Sequence, residues 1–472
     1  MPDLSDDILY APIRTLAERL RTRKLSPVEL TEAYLGRLDK YGARLGAVVT
    51  VTREQALTEA RAAEKEIAAG KYRGPLHGVP YGAKDLLATR GIPTTWGAAP
   101  FRKQVFDYDA TVVRKLREAG AILVAKLAMV ELAGSFGYSS ADASFTGPGR
   151  TPWNLDYWSG GSSSGPGAAV AAALVPFAIG SETSGSIITP CAYCGVSGVR
   201  PTYGRVSRHG AMALSWTLDK LGPMCRTAED CATVLAAIAG RDPLDPTSAN
   251  RAFTYPEPAG KDKRKFRIAV IKDSASGIQP AVRENFEASL KVLGKFCDIA
   301  DAVAFPNWPY GPIVHAIIDA EGASAFRDLI ESGRIRQLRD AQMKRGAYSS
   351  SVTLAVDYLQ AMRVRVKARK ALHELCSRFD ALVAPSRSTV AYPADRPFRG
   401  VYGEFRSGPP VIPAGNIAGQ PAVSVPNGFG PHDLPTGIQF TGKAWSEARL
   451  IAIAHEYQRL TDWHTRRPTL KG

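Results

Sequence analysis

Residues Ser159–Ile188 read SGGSSSGPGAAVAAALVPFAIGSETSGSII, and this stretch decides how the chain folds. Its apolar middle, residues 167–180, is too short to span a bilayer, so it predicts a buried helix that runs into a strand. A segment rich in glycine and serine stands at each end of this run. Such segments can be turns formed for conformational reasons alone. Because both adjoin buried elements, and because glycine lets backbone N–H groups approach a ligand closely, they also indicate a functional site.

Strand-like and helix-like patterns alternate on both sides of this stretch. The alternation predicts an α/β fold, with a large mixed, mostly parallel β-sheet that helices cover on both faces. No repeat or low-complexity linker divides the chain, so we expect one large domain. Further strands are expected at residues 121–126, 267–272, 381–384, 422–425 and 437–441. Helices are expected at residues 27–41, 53–69, 110–119, 229–239, 281–294, 352–378 and 447–460.

Composition excludes several classes of protein. The 472 residues are 45% hydrophobic and 22% charged, which is globular composition and excludes disordered, collagen-like and coiled-coil chains. The formal net charge of +15 raises the question of a nucleic-acid partner. The charge is spread over helical faces such as Arg363–Lys370 (RVRVKARK), and no nucleic-acid motif accompanies it. A generic basic surface is therefore the better interpretation.

Cysteine usage and the N-terminus carry weaker signals. Cys191 and Cys194 form a C-x-x-C motif, but no second pair follows at zinc-ligand spacing. We therefore predict buried thiols and no metal site. The N-terminal residues MPDLSDDILY lack the pattern of a secretory signal, and no apolar stretch is long enough to span a membrane. The expected location is the cytoplasm.

The turn at Thr183–Ser186 can direct successive N–H groups at one point, which is what an oxyanion hole requires. The G-x-S-x-G elbow of α/β-hydrolases is absent, and no Ser-His-Asp set stands out. A serine nucleophile without histidine still needs a base, and a lysine can serve when burial lowers its pKa. Lys84, within the apolar segment GVPYGAKDLL, is a candidate, although a lysine is more commonly a surface residue.

Three segments now carry a resemblance to a known family. Gly78–Leu87, Gly160–Gly165 and Thr183–Ile187 match, in order, the catalytic segments of the amidase signature family. The 24-residue separation of Ser162 and Ser186 (186 − 162) also fits. The likeness extends over most of the chain, and the chain resembles free-standing bacterial amidases and urethanase-like members most. Further matching segments are Thr146–Asn154, Gly195–Gly204, Gly415–Phe429 and Pro435–Lys443.

The resemblance implies a fold and a mechanism. Neutral Lys84 would take a proton from Ser162, Ser162 would deprotonate Ser186, and Ser186 would attack the carbonyl carbon. Ser162 would follow a cis peptide bond, here Gly161–Ser162. Backbone N–H groups of four residues would hold the oxyanion: Thr183, Ser184, Gly185 and Ser186. Water would resolve the acyl-enzyme, with no metal or organic cofactor.

The family pattern also suggests how the single domain of residues 1–472 is organised. We expect N-terminal helices over about residues 1–70 and a catalytic core over about 71–240. A variable region over about residues 255–410 would shape the substrate pocket, and about 411–468 would return to the core. A homodimer is expected from the family alone. Neither nucleic acid nor a membrane is an expected partner.

Two departures from the family pattern bear on the substrate. The usual run Asp-Thr-Gly-Gly-Ser-Ile-Arg is here Glu-Thr-Ser-Gly-Ser-Ile-Ile, over Glu182–Ile188. Ser184 thus replaces a glycine of the oxyanion turn. Ile188 replaces an arginine that can pair with a substrate carboxylate, which favours neutral substrates. Residues expected to contact substrate are Ser163, Phe136, Tyr138, Ile188 and Arg205, with core packing an equal alternative for the aromatic pair.

Several functions stay open at this point. The leading prediction is an amidohydrolase for a neutral aryl or alkyl amide, with a small-molecule amide or carbamate as partner. A carbamate or ester hydrolase of urethanase type would use the same acyl-enzyme chemistry. The glutaminase subunit of a tRNA-dependent amidotransferase shares the catalytic core, but we recognise no glutamine-binding pattern in residues 300–410. A catalytically dead binding protein is disfavoured, because Lys84, Ser162 and Ser186 are all present.

Overall fold

A computed structural model describes residues 4–256, 265–405 and 408–470. Strands and helices alternate along these residues, as the sequence pattern predicts. The strands are β1 Val48–Val51, β2 Pro80–Lys84, β3 Ile122–Leu127, β4 Phe177–Glu182, β5 Ser197–Arg200, β6 Lys220–Cys225, β7 Phe266–Ile271, β8 Cys297–Val303, β9 Ala381–Pro385, β10 Ala422–Gly430 and β11 Leu434–Thr441. The α-helices are α1 Asp6–Leu9, α2 Ile13–Arg21, α3 Pro27–Tyr41, α4 Arg53–Ala68, α5 Thr111–Glu118, α6 Ser164–Ala171, α7 Ile188–Cys194, α8 Ala228–Ile238, α9 Pro280–Leu293, α10 Tyr310–Ala325, α11 Arg327–Glu331, α12 Ala341–Ser350, α13 Ala355–Cys376, α14 Val411–Ala418 and α15 Glu447–Arg459.

All of these strands join one 11-stranded sheet, in the order β1-β3-β2-β4-β6-β5-β10-β11-β9-β7-β8. The sheet is mixed, as predicted, but its parallel share is smaller than expected. Parallel pairing joins β2 to β3 and β4, and joins β7 to β8 and β9. The six other described pairings are antiparallel. The expectation of a mostly parallel sheet is therefore corrected, because short connections and hairpins such as β10–β11 reverse the chain between neighbours.

Helices cover both faces of the sheet, and the alternation of side chains along the central strands shows this. Successive residues of a strand point to opposite faces. In β3, Ile122 and Val124 join one hydrophobic cluster with α4 and α6, while Leu123 joins another with α8 and α15. In β4, Ala178 belongs to the first cluster and Phe177 to the second. No helix within the described ranges combines the length and hydropathy needed to cross a membrane.

Local signals set the helix ends. At the start of α3, Ser26 Oγ accepts the backbone N–H groups of Val28 and Glu29, and Glu29 returns a hydrogen bond to the Ser26 N–H. This is the capping box that the sequence SPVE predicts. Thr227 caps α8 by accepting the Asp230 N–H at 3.0 Å. The chain therefore fixes these helices locally, before packing.

The topology brings the glycine- and serine-rich segments together at one edge of the sheet. Strands β2 and β4 are parallel neighbours, so their carboxyl ends lie side by side. Strand β2 ends at Lys84 and β4 ends at Glu182. Helix α6 starts at Ser164, directly after Ser162, and α7 starts at Ile188, directly after the turn that contains Ser186.

Gly165 sets how closely these elements pack. A Cβ added at Gly165 would lie 2.4 Å from the Ala128 backbone nitrogen and 2.5 Å from the Ala47 carbonyl oxygen. We expect Gly165→Ala to lower the free energy of unfolding by about 1–3 kcal/mol, because backbone atoms cannot yield to an added methyl group. Urea denaturation measures this change. The matched control is Gly311→Ala in α10, where a Cβ would meet nothing within 4 Å. Equal stability of the two variants would contradict this packing.

Candidate active site

Lys84 stands at the centre of a buried cluster of hydroxyl groups at the carboxyl end of β2. Its Nζ lies 2.7 Å from Ser162 Oγ, 3.0 Å from Ser163 Oγ and 2.9 Å from Ser181 Oγ. Lys84 and Ser162 are fully buried. Three hydroxyl oxygens hold the amine in place, and no solvent competes for its hydrogen bonds. Lys84 and Ser162 are thus in direct contact, in the arrangement the family resemblance implies.

Burial changes the charge state of this lysine. Desolvation lowers the pKa of Lys84 to about 7, and the negative charges of Asp219 and Glu182 oppose the shift. A substantial fraction of the amine is therefore neutral near pH 7 and can accept a proton. This is the property that the sequence alone could not establish for Lys84.

The segment that carries Ser162 forms a tight turn before α6. The Gly161–Ser162 peptide bond is cis, as the resemblance implies. Its backbone is held on both sides, because the Ser162 carbonyl oxygen accepts the Val130 N–H at 3.1 Å and the Ser163 N–H donates to the Ser186 carbonyl oxygen at 3.3 Å. The second of these bonds brings the two glycine- and serine-rich segments together.

Ser186 lies on the turn between β4 and α7 and retains some access to solvent. It is 9% exposed, whereas Ser162 is fully buried, so Ser186 is the hydroxyl that a substrate can reach. Gly185 adopts the left-handed conformation, with φ of 99°, but Ser184 does not. The replacement of glycine by Ser184 therefore requires no unusual backbone conformation. Among the hydrogen bonds of the described residues, none joins the hydroxyls of Ser162 and Ser186; such bonds often tighten only with substrate bound.

The Glu182 carboxylate fixes the shape of this turn. Its Oε2 accepts the N–H groups of Ile187 and Ile188 at 2.9 and 3.0 Å. Its Oε1 accepts Arg200 Nη1 at 3.0 Å and Asn416 Nδ2 at 2.9 Å. Burial would raise the pKa of Glu182, but the charge of Arg200 and these hydrogen bonds hold it below its usual range. The turn is thus anchored by a buried, fully charged carboxylate.

Asp219 supports the turn at its other end. Its Oδ1 accepts the Thr183 hydroxyl at 2.6 Å, and its Oδ2 accepts the N–H groups of Leu214 and Ser215 at 2.9 Å each. Burial raises the pKa of Asp219, against these hydrogen bonds. Sequence reasoning did not identify Asp219, Arg200, Asn416 or Ser181. Only Ser181 carried a signal, since it lies two residues before Thr183 in the glycine- and serine-rich segment.

A cavity of about 200 Å³ adjoins Ser181 and Thr183. Most of the residues that line it are apolar, among them Leu86, Met212, Leu214, Trp216 and Leu221. Its charged groups are already engaged: Arg208 pairs with Asp245 at 3.4 Å, and Asp219 holds Thr183. We call this space the apolar cavity. Its walls suit an uncharged substituent of a substrate.

The residues expected to contact substrate lie in different places. Ser163 contacts Lys84 and donates to the Ser181 carbonyl oxygen at 3.2 Å, so it helps to hold the lysine. Ile188 is fully buried at the start of α7. Phe136 packs in the core against Phe326, with ring centroids 6.0 Å apart. Tyr138 packs against Trp158 beside Gly161, and so borders the Ser162 turn.

Arg205 is a clear correction. The sequence placed it within reach of substrate, but it is 3% exposed and forms an ion pair of 2.9 Å with Glu447 in α15. Its Nη1 also donates to the carbonyl oxygens of Arg251 and Ala252. This pairing joins residues more than 240 positions apart, which local patterns cannot reveal.

The C-x-x-C cysteines are buried thiols, as predicted. Burial raises the pKa of both Cys191 and Cys194, so neither is a thiolate near neutral pH. Across the described part of the chain, no group of three or more His, Cys, Asp or Glu residues is arranged to hold a metal ion.

Comparisons with known proteins agree with this geometry. The family described as Amidase matches residues 29–451. A glutamyl-tRNA(Gln) amidotransferase subunit of Moorella thermoacetica is 37% identical, over 98% of this chain and 99% of that protein. The structure of peptide amidase from Stenotrophomonas maltophilia is 30% identical with a TM-score of 0.83, over 98% of this chain and 99% of that one. That of the glutamyl-tRNA(Gln) amidotransferase subunit from Thermotoga maritima is 28% identical with a TM-score of 0.82, over 99% and 100%.

These relatives revise one expectation. The sequence patterns favoured a likeness to free-standing or urethanase-like members. The Moorella thermoacetica relative instead belongs to an amidotransferase, and it shares more identity with this chain than the peptide amidase does. The matched family and the fold agree with the resemblance, but the amidotransferase interpretation gains weight over the one ranked first.

The Glu182 anchor can be tested by removing its charge. We expect Glu182→Gln to lower the free energy of unfolding by about 3–5 kcal/mol, because it leaves the buried Arg200 guanidinium without a counter-charge. Chemical denaturation measures the change. Glu331→Gln, which removes an exposed i,i+4 pair with Arg327, is the control and should leave stability unchanged. If Glu182→Gln does not fold, Asn416→Ala removes one hydrogen bond and should cost about 1–2 kcal/mol. Wild-type stability in both Glu182→Gln and Asn416→Ala would contradict the anchor.

Proposed function

The chain belongs to the amidase signature family, and from this premise we propose that it hydrolyses an amide through an acyl-enzyme formed on Ser186. The observation that carries the proposal is the buried contact of 2.7 Å between Lys84 Nζ and Ser162 Oγ, beside the turn that holds Ser186. A lysine whose pKa is about 7 supplies the base that a serine nucleophile needs in the absence of histidine.

The proposed proton path follows the positions of these groups. Neutral Lys84 accepts a proton from Ser162, and Ser162 accepts one from Ser186 as its oxygen attacks the carbonyl carbon. Backbone N–H groups of residues 183–186 stabilise the oxyanion. Ser162 then returns a proton to the departing amine, and Lys84 restores the proton of Ser162. Water hydrolyses the ester of Ser186 by the same path in reverse.

The pH dependence of acylation tests this path. A fluorophosphonate probe should label Ser186, and the rate should rise with pH through about 7 and then level, because only the neutral form of Lys84 accepts a proton. Lys84→Ala should lower the labelling rate at pH 7 by about 10²–10⁴-fold, the usual contribution of a general base. Time-resolved labelling followed by peptide mapping measures both effects.

Two controls accompany this measurement. Lys103→Ala removes an exposed lysine and should label at the wild-type rate, and Ser186→Ala should form no adduct. Labelling of another serine, or a Lys84→Ala variant that labels as fast as wild type, would sink the proposed assignment.

The first candidate substrate is an amide with an uncharged acyl group. The apolar cavity beside Thr183 supports it, because its lining offers apolar surface and its charged groups are already paired. Ile188, where an arginine stands in members that act on acidic substrates, points the same way. Carbamates and esters with the same acyl-enzyme chemistry belong to this candidate.

The second candidate is the release of ammonia from glutamine as part of an amidotransferase. The 37% identity to an amidotransferase subunit over 98% of the chain favours it, and on sequence identity it ranks above the first. The net charge of +15 is compatible with an RNA-bearing complex. Against it stands the absence, along residues 300–410, of a glutamine-binding pattern that we recognise.

A substrate comparison separates the two candidates. Under the first, purified chain alone hydrolyses butyranilide and its carbamate and ester analogues, and does not release ammonia from glutamine. Under the second, ammonia release from glutamine exceeds anilide hydrolysis, and amidotransferase partner subunits increase it further. Values of kcat/KM for the panel, with a coupled ammonia assay, give the ranking. Glutamine turnover above that of butyranilide would exclude the first candidate.

A further inference from the structure

A second cavity, of about 280 Å³, adjoins the Ser186 turn at a different end from the apolar cavity. Residues after β9, the first turn of α14 and Gln439 of β11 line it. Ile412 in this wall lies 3.2 Å from the position that a Cβ of Gly185 would occupy. Thr183 borders the apolar cavity, whereas Gly185 meets the wall of the second one. We call the second space the polar cavity.

Three buried polar atoms on residues of this cavity lack a hydrogen-bond partner within the described ranges. They are Arg387 Nε, Ser274 Oγ and Gln439 Oε1. Gln439 is oriented by its Nε2, which donates to the Pro385 carbonyl oxygen at 3.0 Å, and this leaves its Oε1 as a free acceptor. Buried polar groups in proteins are normally paired. A cation, a hydroxyl and an amide oxygen left unpaired around one cavity indicate a ligand with matching groups.

Arg387 is the only charged residue among those that line the polar cavity in the described chain. Its guanidinium lies 5.9 Å from the ring centroid of Tyr193, and no described carboxylate forms an ion pair with it. The neighbouring Tyr193 raises the pKa of Arg387, so its charge is retained. Other buried arginines are paired, Arg200 with Glu182 and Arg205 with Glu447. An unpaired buried cation is costly, and an anionic ligand would offset that cost.

We propose that the polar cavity binds a carboxylate carried by the amine half of the substrate, with Arg387 as the residue that determines this specificity. The planar guanidinium suits the two oxygens of a carboxylate, and the Ser274 hydroxyl supplies a further donor. Gln439 Oε1 accepts an N–H of the same ligand. The inference rests on the proposed function, which places the uncharged acyl group in the apolar cavity and leaves the substituent on nitrogen for the polar one.

A pair of anilides that differ only in charge tests the proposal. 4-Butyramidobenzoate carries a carboxylate on its amine half, and 4-butyramidobenzamide is its uncharged twin. We expect wild-type kcat/KM to favour the benzoate by about 10–100-fold, the range of a hydrogen-bonded charge. Arg387→Met should abolish the preference by raising KM for the benzoate, and should leave kcat/KM for the benzamide unchanged. Arg387→Lys should restore part of the preference.

Arg327→Met, which removes an exposed arginine of α11, is the matched control and should keep the wild-type preference. Fluorophosphonate labelling of Ser186 shows that each variant is folded and competent. Equal kcat/KM for the two anilides in wild type, or a preference that survives in Arg387→Met, would overturn the proposal. An Arg387-dependent preference for succinanilate, whose carboxylate is on the acyl half, would overturn the placement on the amine half and favour the glutamine candidate.

A binding measurement keeps the proposal separate from the proposed function. If Ser186 is not labelled and no amide is cleaved, the proposed function fails, but the cavity can still be tested with the product-like 4-aminobenzoate. Calorimetry should show binding to Ser186→Ala that weakens at least about tenfold when Arg387→Met is added. Equal affinity in the two variants, or no affinity for 4-aminobenzoate above that for 4-aminobenzamide, would overturn the polar cavity as a carboxylate site.

Discussion

The buried Glu182 carboxylate is the constraint on which the rest of the site depends. Taking a carboxylate out of water costs several kcal/mol, and only a full set of donors offsets that cost. Here the donors come from the Ile187 and Ile188 backbone, from Arg200 in β5 and from Asn416 in α14. One charge therefore joins the nucleophile turn, a central strand and a C-terminal helix. The same arrangement places the Ser186 turn next to both cavities.

Local chemistry explains why much of the fold could be predicted. The Ser26 capping box, the Thr227 cap and short apolar runs such as that of β7 depend on neighbouring residues alone, so the sequence carries them directly. Strand direction depends on partners far apart in the chain, and here the expectation of a mostly parallel sheet was wrong. Arg205 was misplaced for the same reason, since its partner Glu447 is remote in sequence.

The site divides in the same way. The contact of Lys84 with Ser162 followed from a family resemblance, and the structure adds the burial that lowers the pKa of the lysine to about 7. Asp219 and Asn416 carry no recognisable local motif, because they act through bonds to distant segments. Arg387 could not be found either, since an arginine in the run Pro385–Val390 looks like any surface residue until the fold surrounds it. Substrate preference therefore remained the least predictable property.

The order of these parts along the chain bears on how such an enzyme can diversify. The reactive groups lie between Lys84 and Ser186, whereas the walls of the polar cavity come from residues after 270. Recombination that exchanged the later segment could alter the ligand while inheriting the proton path intact. Asn416 sets the condition, since a transplanted α14 must bring an amide to meet Glu182. A lineage of such chains would keep one reaction and vary its targets, in the manner of a tool with exchangeable jaws.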